Sequence, residues 1–206
     1  MYVPKLHREE DRATILAFLQ QNNFPALVTF DGERPVATHL VVEVVEADDR
    51  LTIYGHLSRA NKQWQTIGAQ EALLIFQGAH TYISPRWYDH VNVPTWNYMM
   101  VHVYGRVREL EGEALYSLLS RLVQNHEANS TYRLETLPPN FVAKEMKGIF
   151  GFALDVTRLD AGYKLSQNRN AGDHATIVSE LDQRSDANSH AIAAAMRAQR
   201  EQSDRP

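Results

Sequence analysis

Trp96-Asn97-Tyr98-Met99-Met100-Val101-His102-Val103-Tyr104-Gly105-Arg106-Val107-Arg108-Glu109-Leu110 is the stretch on which the fold turns. Its residues alternate with the two-residue period of a strand. Tyr98, Met100, His102 and Tyr104 share one face, and Met99, Val101 and Val103 share the other. A strand with one face in water would carry polar residues on that face. Here both rows are bulky and mostly apolar, so the strand is expected in a barrel wall or at a subunit interface.

On either side lie shorter runs of the same kind. Ala26–Phe30, Pro35–Val45, Leu51–His56, Glu71–Gln77 with Thr81–Ser84, and Ile149–Val156 read as strands. Asp31-Gly32 and Asp48-Asp49 supply turns between them. Arg8–Gln21 reads as a helix with acids in its first turn. Leu115, Leu118, Leu119, Leu122 and Val123 form an amphipathic stripe whose simplest role is core packing. The tail carries two helical stretches, one around Ile177, Val178 and Leu181 and one around Ile192 and Met196, and its polar last ten residues are expected to fray. About six strands without βαβ alternation point to a mainly β chain with flanking helices, closed into an antiparallel barrel. The expected division is a barrel domain over residues 1–170 and a C-terminal helical extension over 171–206.

Composition removes several kinds of function. The chain has 206 residues and no cysteine, which excludes a disulfide scaffold, a thiolate zinc site, an iron–sulfur cluster and a cysteine nucleophile. Its formal net charge of −4 is opposite to that of a protein whose main work is coating nucleic acid. No apolar run approaches the ~20 residues of a membrane helix, and Met1-Tyr2-Val3-Pro4-Lys5 lacks a signal-peptide core, so no membrane partner and a cytoplasmic location are expected.

The chemistry concentrates in Tyr54-Gly55-His56-Leu57-Ser58-Arg59-Ala60-Asn61-Lys62-Gln63-Trp64. A strand ends and passes directly into a hydroxyl, a guanidinium, an amide and an ammonium group. A helix starting near Ala60 would add free N–H groups. Positive charge and converging donors are what a phosphate requires, although a solvated helix start would look the same. The nine histidines, including His39, His56, His80, His90 and His102, form no His-x-x-x-His or other recognised ligand spacing, so no metal site is expected. Nucleophile-elbow, Walker and Rossmann patterns are missing.

The run Gly55–Trp64 resembles the signature of the PaiB-type family of FMN-binding negative transcriptional regulators. Other fragments agree in order: Met1–Pro4, Ala37–Leu40, Tyr82–Tyr88, Val93–Tyr98, His102–Gly105 and Lys164–Arg169. The resemblance extends from Met1 to about Met196. It implies a six-stranded antiparallel split β-barrel like that of pyridoxamine-phosphate oxidases, assembled as a homodimer with FMN between subunits. Carried over by position, Thr38, His39 and Leu40 would line the flavin ring and ribityl chain, with Gly55 and His56 beside the ribityl. Ser58, Arg59, Asn61 and Lys62 would clamp the phosphate. Trp96, Asn97, Lys164 and Gln167 match segments that the partner subunit would contribute. Two departures stand out: Val41 and Lys62 occupy positions where the family carries proline.

The resemblance implies a transcriptional regulator or flavin-dependent sensor. An FMN-dependent oxidoreductase on the same scaffold is the alternative, which would bleach its flavin with NADH or NADPH. Haem binding through a single histidine is a third reading. DNA is a candidate partner by family only. Arg184, Arg197 and Arg200 in the tail are offset by Glu180, Asp182, Asp186 and Glu201, and no helix-turn-helix is visible.

Overall fold

Alternating apolar runs build one seven-stranded sheet in the computed structural model, which describes residues 1–203. Its strands are β1 (Ala26–Phe30), β2 (Pro35–His39), β3 (Val42–Ala47), β4 (Arg50–Ser58), β5 (Ala72–Ile83), β6 (Thr95–Leu110) and β7 (Ile149–Lys164). The helices are α1 (Arg12–Gln21), α2 (Gly112–His126), α3 (Pro139–Met146), α4 (Ala171–Asp182) and α5 (Ala187–Ser203). The chain is thus mainly β with flanking helices.

The sheet is not the expected six-stranded split barrel. Its order is β2-β1-β5-β6-β7-β4-β3, an open sheet with β2 and β3 as its edges. The cause lies in Pro35–Val45, which does not form one strand. At its middle, Leu40 N donates to Pro25 O at 3.2 Å and Val42 N to Asn23 O at 2.9 Å, so the chain turns away from the sheet there. The first half pairs antiparallel with β1, Ala26 opposite His39. The second pairs with β4, Val42 opposite Gly55. The two halves therefore end on opposite edges.

The predicted turns form where expected. Asp31 Oδ1 accepts from the amides of Glu33 and Arg34, both at 2.9 Å, and Gly32 takes a φ of 105°. Asp48 and Asp49 both have positive φ, at 50° and 59°, as the tight β3–β4 connection demands. The helix expected from Arg8 begins at Arg12, where Asp11 caps it through a 2.8 Å bond from Thr14 N. The predicted tail helices are α4 and α5. The second continues through Gln199 to Ser203, and the end of the segment expected to fray, residues 204–206, lies outside the described residues.

The chain divides into two compact units. The first comprises Met1–Phe18, Gln77–Val101 and Asp160–Pro206, and the second Leu19–Phe76 and His102–Leu159. In the first, Val101, Leu165, Ile177, Leu181, Ile192 and Met196 are fully buried or nearly so. In the second, Leu27, Ile53, Leu74, Phe76, Phe152 and Leu154 fill the core. There β4 pairs with β7, Gly55 opposite Phe152, and α2 packs through Leu118 and Leu122 against Leu110 and Ala153, with Val41 and Tyr54 alongside. Gly55 has no room for a side chain, since a Cβ there would meet Phe152 at 2.7 Å and Leu40 at 2.9 Å.

The two faces of β6 differ in burial. Asn97, Val101, Val103 and Gly105 are buried. Tyr98, Met100, His102 and Tyr104 are half-buried, and Trp96 is exposed.

Candidate functional site

In the second unit β4 runs out at Ser58, and the chain turns through Arg59 and Ala60 into a single 3₁₀ turn, Lys62–Gln65. Asn61 caps that turn: its Oδ1 accepts from Gln63 N at 3.1 Å. Its Nδ2 donates to Thr38 Oγ1 at 2.8 Å, and Thr38 Oγ1 donates to Gln63 Oε1 at 2.6 Å. Gln63 is buried and sends Nε2 to Thr29 Oγ1 at 2.9 Å, with the carbonyls of Leu27 and Val36 each at 3.3 Å. Thr38 and Asn61, both expected at the site, are thus brought together by a glutamine to which the sequence assigned no role. Its acceptors lie up to 36 residues away, so no local spacing marks it.

The turn presents its cations on this brace. Arg59 N donates to Gly148 O at 2.8 Å and its Nε to Ile149 O at 3.1 Å. Its guanidinium carbon stands 4.9 Å from the Trp64 ring centroid and 5.7 Å from that of Phe150, while Trp64 Nε1 donates to Arg59 O at 3.0 Å. The Arg59 side chain is 34% exposed, and its Nη2 pairs with Glu109 Oε1 at 2.6 Å. Ser58 and Lys62 are exposed, and Ser58 Oγ accepts from Ala60 N at 3.2 Å.

A helix starting near Ala60 is not formed. The 3₁₀ turn begins at Lys62, and its first amides are taken by Asn61: Gln63 N by the side chain, Trp64 N by the carbonyl at 3.5 Å. The donors open to an anion are therefore side chains: a planar guanidinium, an ammonium and a hydroxyl on one exposed turn. This set suits a doubly charged phosphate, and Lys62 adds a second cation to it.

His39 lies exposed on edge strand β2, its ring stacked on Phe24 at 6.1 Å between centroids. Leu40 and Gly55 face the interior against Phe152. His56 projects from the opposite face of β4 to Gly55 and lines a cavity bounded by α2 and α3. Burial holds its pKa below the ordinary value, and its Nδ1 has no hydrogen-bond partner.

The other expected residues belong to the first unit. Asn97 is fully buried, its Nδ2 facing Ser166 Oγ at 3.0 Å and Met196 Sδ at 3.5 Å. Gln167 closes the turn after β7, accepting from Leu165 N at 2.9 Å and donating to Tyr163 O, with His7 Nδ1 at 3.0 Å. Lys164 Nζ donates to Thr95 Oγ1. Desolvation, then the charge of Arg169, lowers its pKa. Trp96 is 53% exposed and makes an edge contact with Tyr82 at 6.0 Å. A carboxylate–histidine group also forms here: Asp89, His90 and Asp173 bring potential ligand atoms within 4.8 Å of one another. Asp173 Oδ1 accepts there from the backbone amide of Asp89 at 3.0 Å and, through Asn170, Asp173 belongs to the cap of α4.

The tail arginines are engaged within the same unit. Arg184 Nη1 donates to Thr81 Oγ1 at 3.0 Å and its guanidinium lies over Trp87, Arg197 pairs with Asp182, and Arg200 reaches Arg169 O at 3.3 Å. Among the described residues no helix is long and apolar enough to cross a membrane.

Residues 1–158 match the family model described as "Putative FMN-binding domain". The chain is 38% identical over 199 residues to protease synthase and sporulation protein PAI 2 of Bacillus subtilis, covering 95% of this chain and 96% of that protein. It is 24% identical over 228 residues to an uncharacterized protein of Emericella nidulans, covering 88% of this chain and 90% of that one. Among solved structures, the flavocytochrome Anf3 of Azotobacter vinelandii superposes with a TM-score of 0.63 at 16% identity, over 84% of this chain and 78% of its own. A conserved hypothetical protein of Mycobacterium tuberculosis gives 0.58 at 15% identity, over 82% and 92%. These two share the fold. With the family model spanning most of its length and a close full-length relative, the chain belongs to the PaiB-type family of FMN-binding domains.

Proposed function

We propose that this protein holds FMN by its phosphate on the turn Ser58–Lys62 and works as a regulator or flavin-dependent sensor. The observation that carries the reading is the construction of the turn. Thr38, Asn61 and Gln63 lock its backbone from inside, while Arg59, Lys62 and Ser58 keep their charged or polar ends at the surface. A rigid base with exposed cations binds a phosphate without first ordering itself. The family match supports FMN as the phosphate's owner.

When bound, FMN supplies a redox-active, coloured isoalloxazine ring. The protein's part is to orient that ring and keep its phosphate in place. Arg59 can offer the phosphate two parallel N–H bonds from a guanidinium already fixed by Trp64 and Phe150. Lys62 adds a mobile charge and Ser58 a hydroxyl. His39 on β2 and Leu40 would border the ring and its chain, with Gly55 letting β4 pass close behind.

We further infer that the protein is a homodimer with the flavin sheltered between subunits, where Trp96, Asn97, Lys164 and Gln167 of one subunit would approach the cofactor of the other. Exposed apolar surface supports this. In the register of β1 with β2, Ala26, Val28 and Phe30 share a face with Ala37 and His39, and this face carries exposed Phe30 beside exposed Phe24. A sheet face of this kind is normally covered in the working protein.

The test is an absorbance spectrum of the purified protein, with any released chromophore identified by mass. Flavin bands and FMN in the released fraction are expected. Colourless protein that takes up no added FMN would refute the reading.

A further inference from the structure

The turn that carries Arg59 spends its backbone amides inside the protein. Arg59 N donates to Gly148 O at 2.8 Å, Ala60 N to Ser58 Oγ at 3.2 Å and Asn61 N to Ser58 O at 2.9 Å. Gln63 N donates to Asn61 Oδ1 at 3.1 Å and Trp64 N to Asn61 O at 3.5 Å. A loop that selects a terminal phosphate wraps it in adjacent free amides, which crowds out a substituent on the far side. Here no run of adjacent amides is left for that purpose. The donors are the side chains of Ser58, Arg59 and Lys62, and Ser58, Ala60 and Lys62 are exposed. The grip comes from one side and leaves the other open.

Charge does not select a monoester either. Arg59 and Lys62 are the cations of the turn, and Glu109 sets its carboxylate against Arg59 Nη2 at 2.6 Å. A phosphate monoester carries about two negative charges on one phosphorus near neutral pH. A diphosphate diester spreads the same total over two adjacent phosphorus atoms. The two cations differ in how they meet such a ligand. The Arg59 guanidinium is fixed over Trp64 and Phe150, at 4.9 and 5.7 Å from their ring centroids, and its fork suits two oxygens of one phosphate. Lys62 is a point charge on a flexible stem, free to meet the neighbouring phosphate.

We infer that this site takes flavin adenine dinucleotide as well as FMN, with Arg59 on the phosphate next to the ribityl chain, Lys62 on the second phosphate and the adenosine end on the exposed side of the turn. The inference rests on the phosphate reading of Ser58–Lys62 and widens its ligand class from flavin monophosphates to flavin diphosphates.

The experiment is calorimetric titration of the full-length protein, freed of any bound flavin, with riboflavin, FMN and FAD. FAD should bind no more than about tenfold more weakly than FMN, and both at least about tenfold more tightly than riboflavin. Arg59→Ala should weaken FMN and FAD alike, and Lys62→Ala should weaken FAD more than FMN, in variants whose circular dichroism shows them folded. FAD weaker than FMN by more than that margin, while FMN keeps its advantage over riboflavin, overturns the inference and leaves the phosphate reading standing. FAD binding that either variant leaves unchanged overturns it too, since FAD would then sit elsewhere. FMN without an advantage over riboflavin removes the phosphate reading and this inference together.

Discussion

Arg59 is held by four kinds of contact at once: a backbone bond to Gly148, a side-chain bond to Ile149 O, the faces of Trp64 and Phe150, and the Glu109 carboxylate. The first three aim the guanidinium. The fourth competes with an anionic ligand for Nη2. Exposed pairs of this sort contribute about 0.2–1 kcal/mol. Glu109→Gln should therefore tighten FMN by about 1.5- to 5-fold, the factor corresponding to that range. Fluorescence titration reads it, and weaker binding in the variant would show that Glu109 positions Arg59 rather than opposing the ligand. Glu109 was invisible in the sequence because it lies on a different strand, 50 residues from Arg59. Ser58, Arg59 and Lys62 were legible because their chemistry is contiguous in the chain.

His56 gives a second expectation, set by pH. Burial lowers its folded pKa below the ordinary value of 6.5, so in acid the unfolded chain takes up a proton that the folded chain resists. Its contribution to stability is complete above about pH 6.5 and is lost as pH falls toward the folded pKa. The groups that share its cavity are His126, Glu127, Glu145 and Tyr132. Asp11, Asp31 and Asp186, whose pKa values are lowered chiefly by hydrogen bonds, lose their contributions further into acid. The urea midpoint should drop as pH falls below about 6.5 in wild type and fall less steeply in His56→Leu. Equal slopes would remove His56 from the account.

Among the elements, the most consequential is the 3₁₀ turn and its tie to the β1–β2 hairpin through Gln63. Replacing Gln63 by Leu leaves Thr29, Thr38 and the strand carbonyls without their donor or acceptor inside the fold. An unsatisfied buried group costs about 1–3 kcal/mol. Gln63→Leu should lower stability by about that amount in urea unfolding and loosen FMN binding, since the turn loses its brace. Unchanged stability would mean that the network is incidental.

The elements also show where pattern reading stops. Pro35–Val45 looked like one β-branched strand because propensity cannot register a change of partner. Only the bonds from Leu40 and Val42 to the Asn23–Pro25 segment reveal the break, and with it the seventh strand and the open sheet. β5 was expected in two pieces and runs unbroken through Gly78, where a Cβ would meet Phe18 at 2.5 Å. The glycine admits a neighbour and does not end the strand. α3 was not among the expected elements. Its Pro139 opens the helix at the first position, and only Val142 is buried, too little for a periodic signal.

The chain as a whole carries a net charge of −4 and presents exposed Phe24, Phe30, Trp96 and Val93. Exposed apolar side chains of this kind argue for self-association more than for a polyanionic partner. Sedimentation velocity should report a dimer, and Phe30→Glu, placing a charge on the outward face of β1, should shift it toward monomer. A wild-type monomer at micromolar concentration would rule out the interface reading. The strand β6, suspected from its two apolar rows, carries one row that is mostly buried and one that is half-buried within the chain.

The most direct test compares two ligands that differ by one group. FMN and riboflavin share the ring and ribityl chain, and only FMN has the phosphate. Flavin fluorescence titration should show FMN binding at least tenfold tighter than riboflavin, and Arg59→Ala should weaken FMN by about ten- to a hundredfold, as expected for a truncated charge-assisted contact of about 1.5–3 kcal/mol. Equal affinity for the two flavins, or an Arg59→Ala variant that binds FMN like wild type, would contradict a phosphate grip on the Ser58–Lys62 turn.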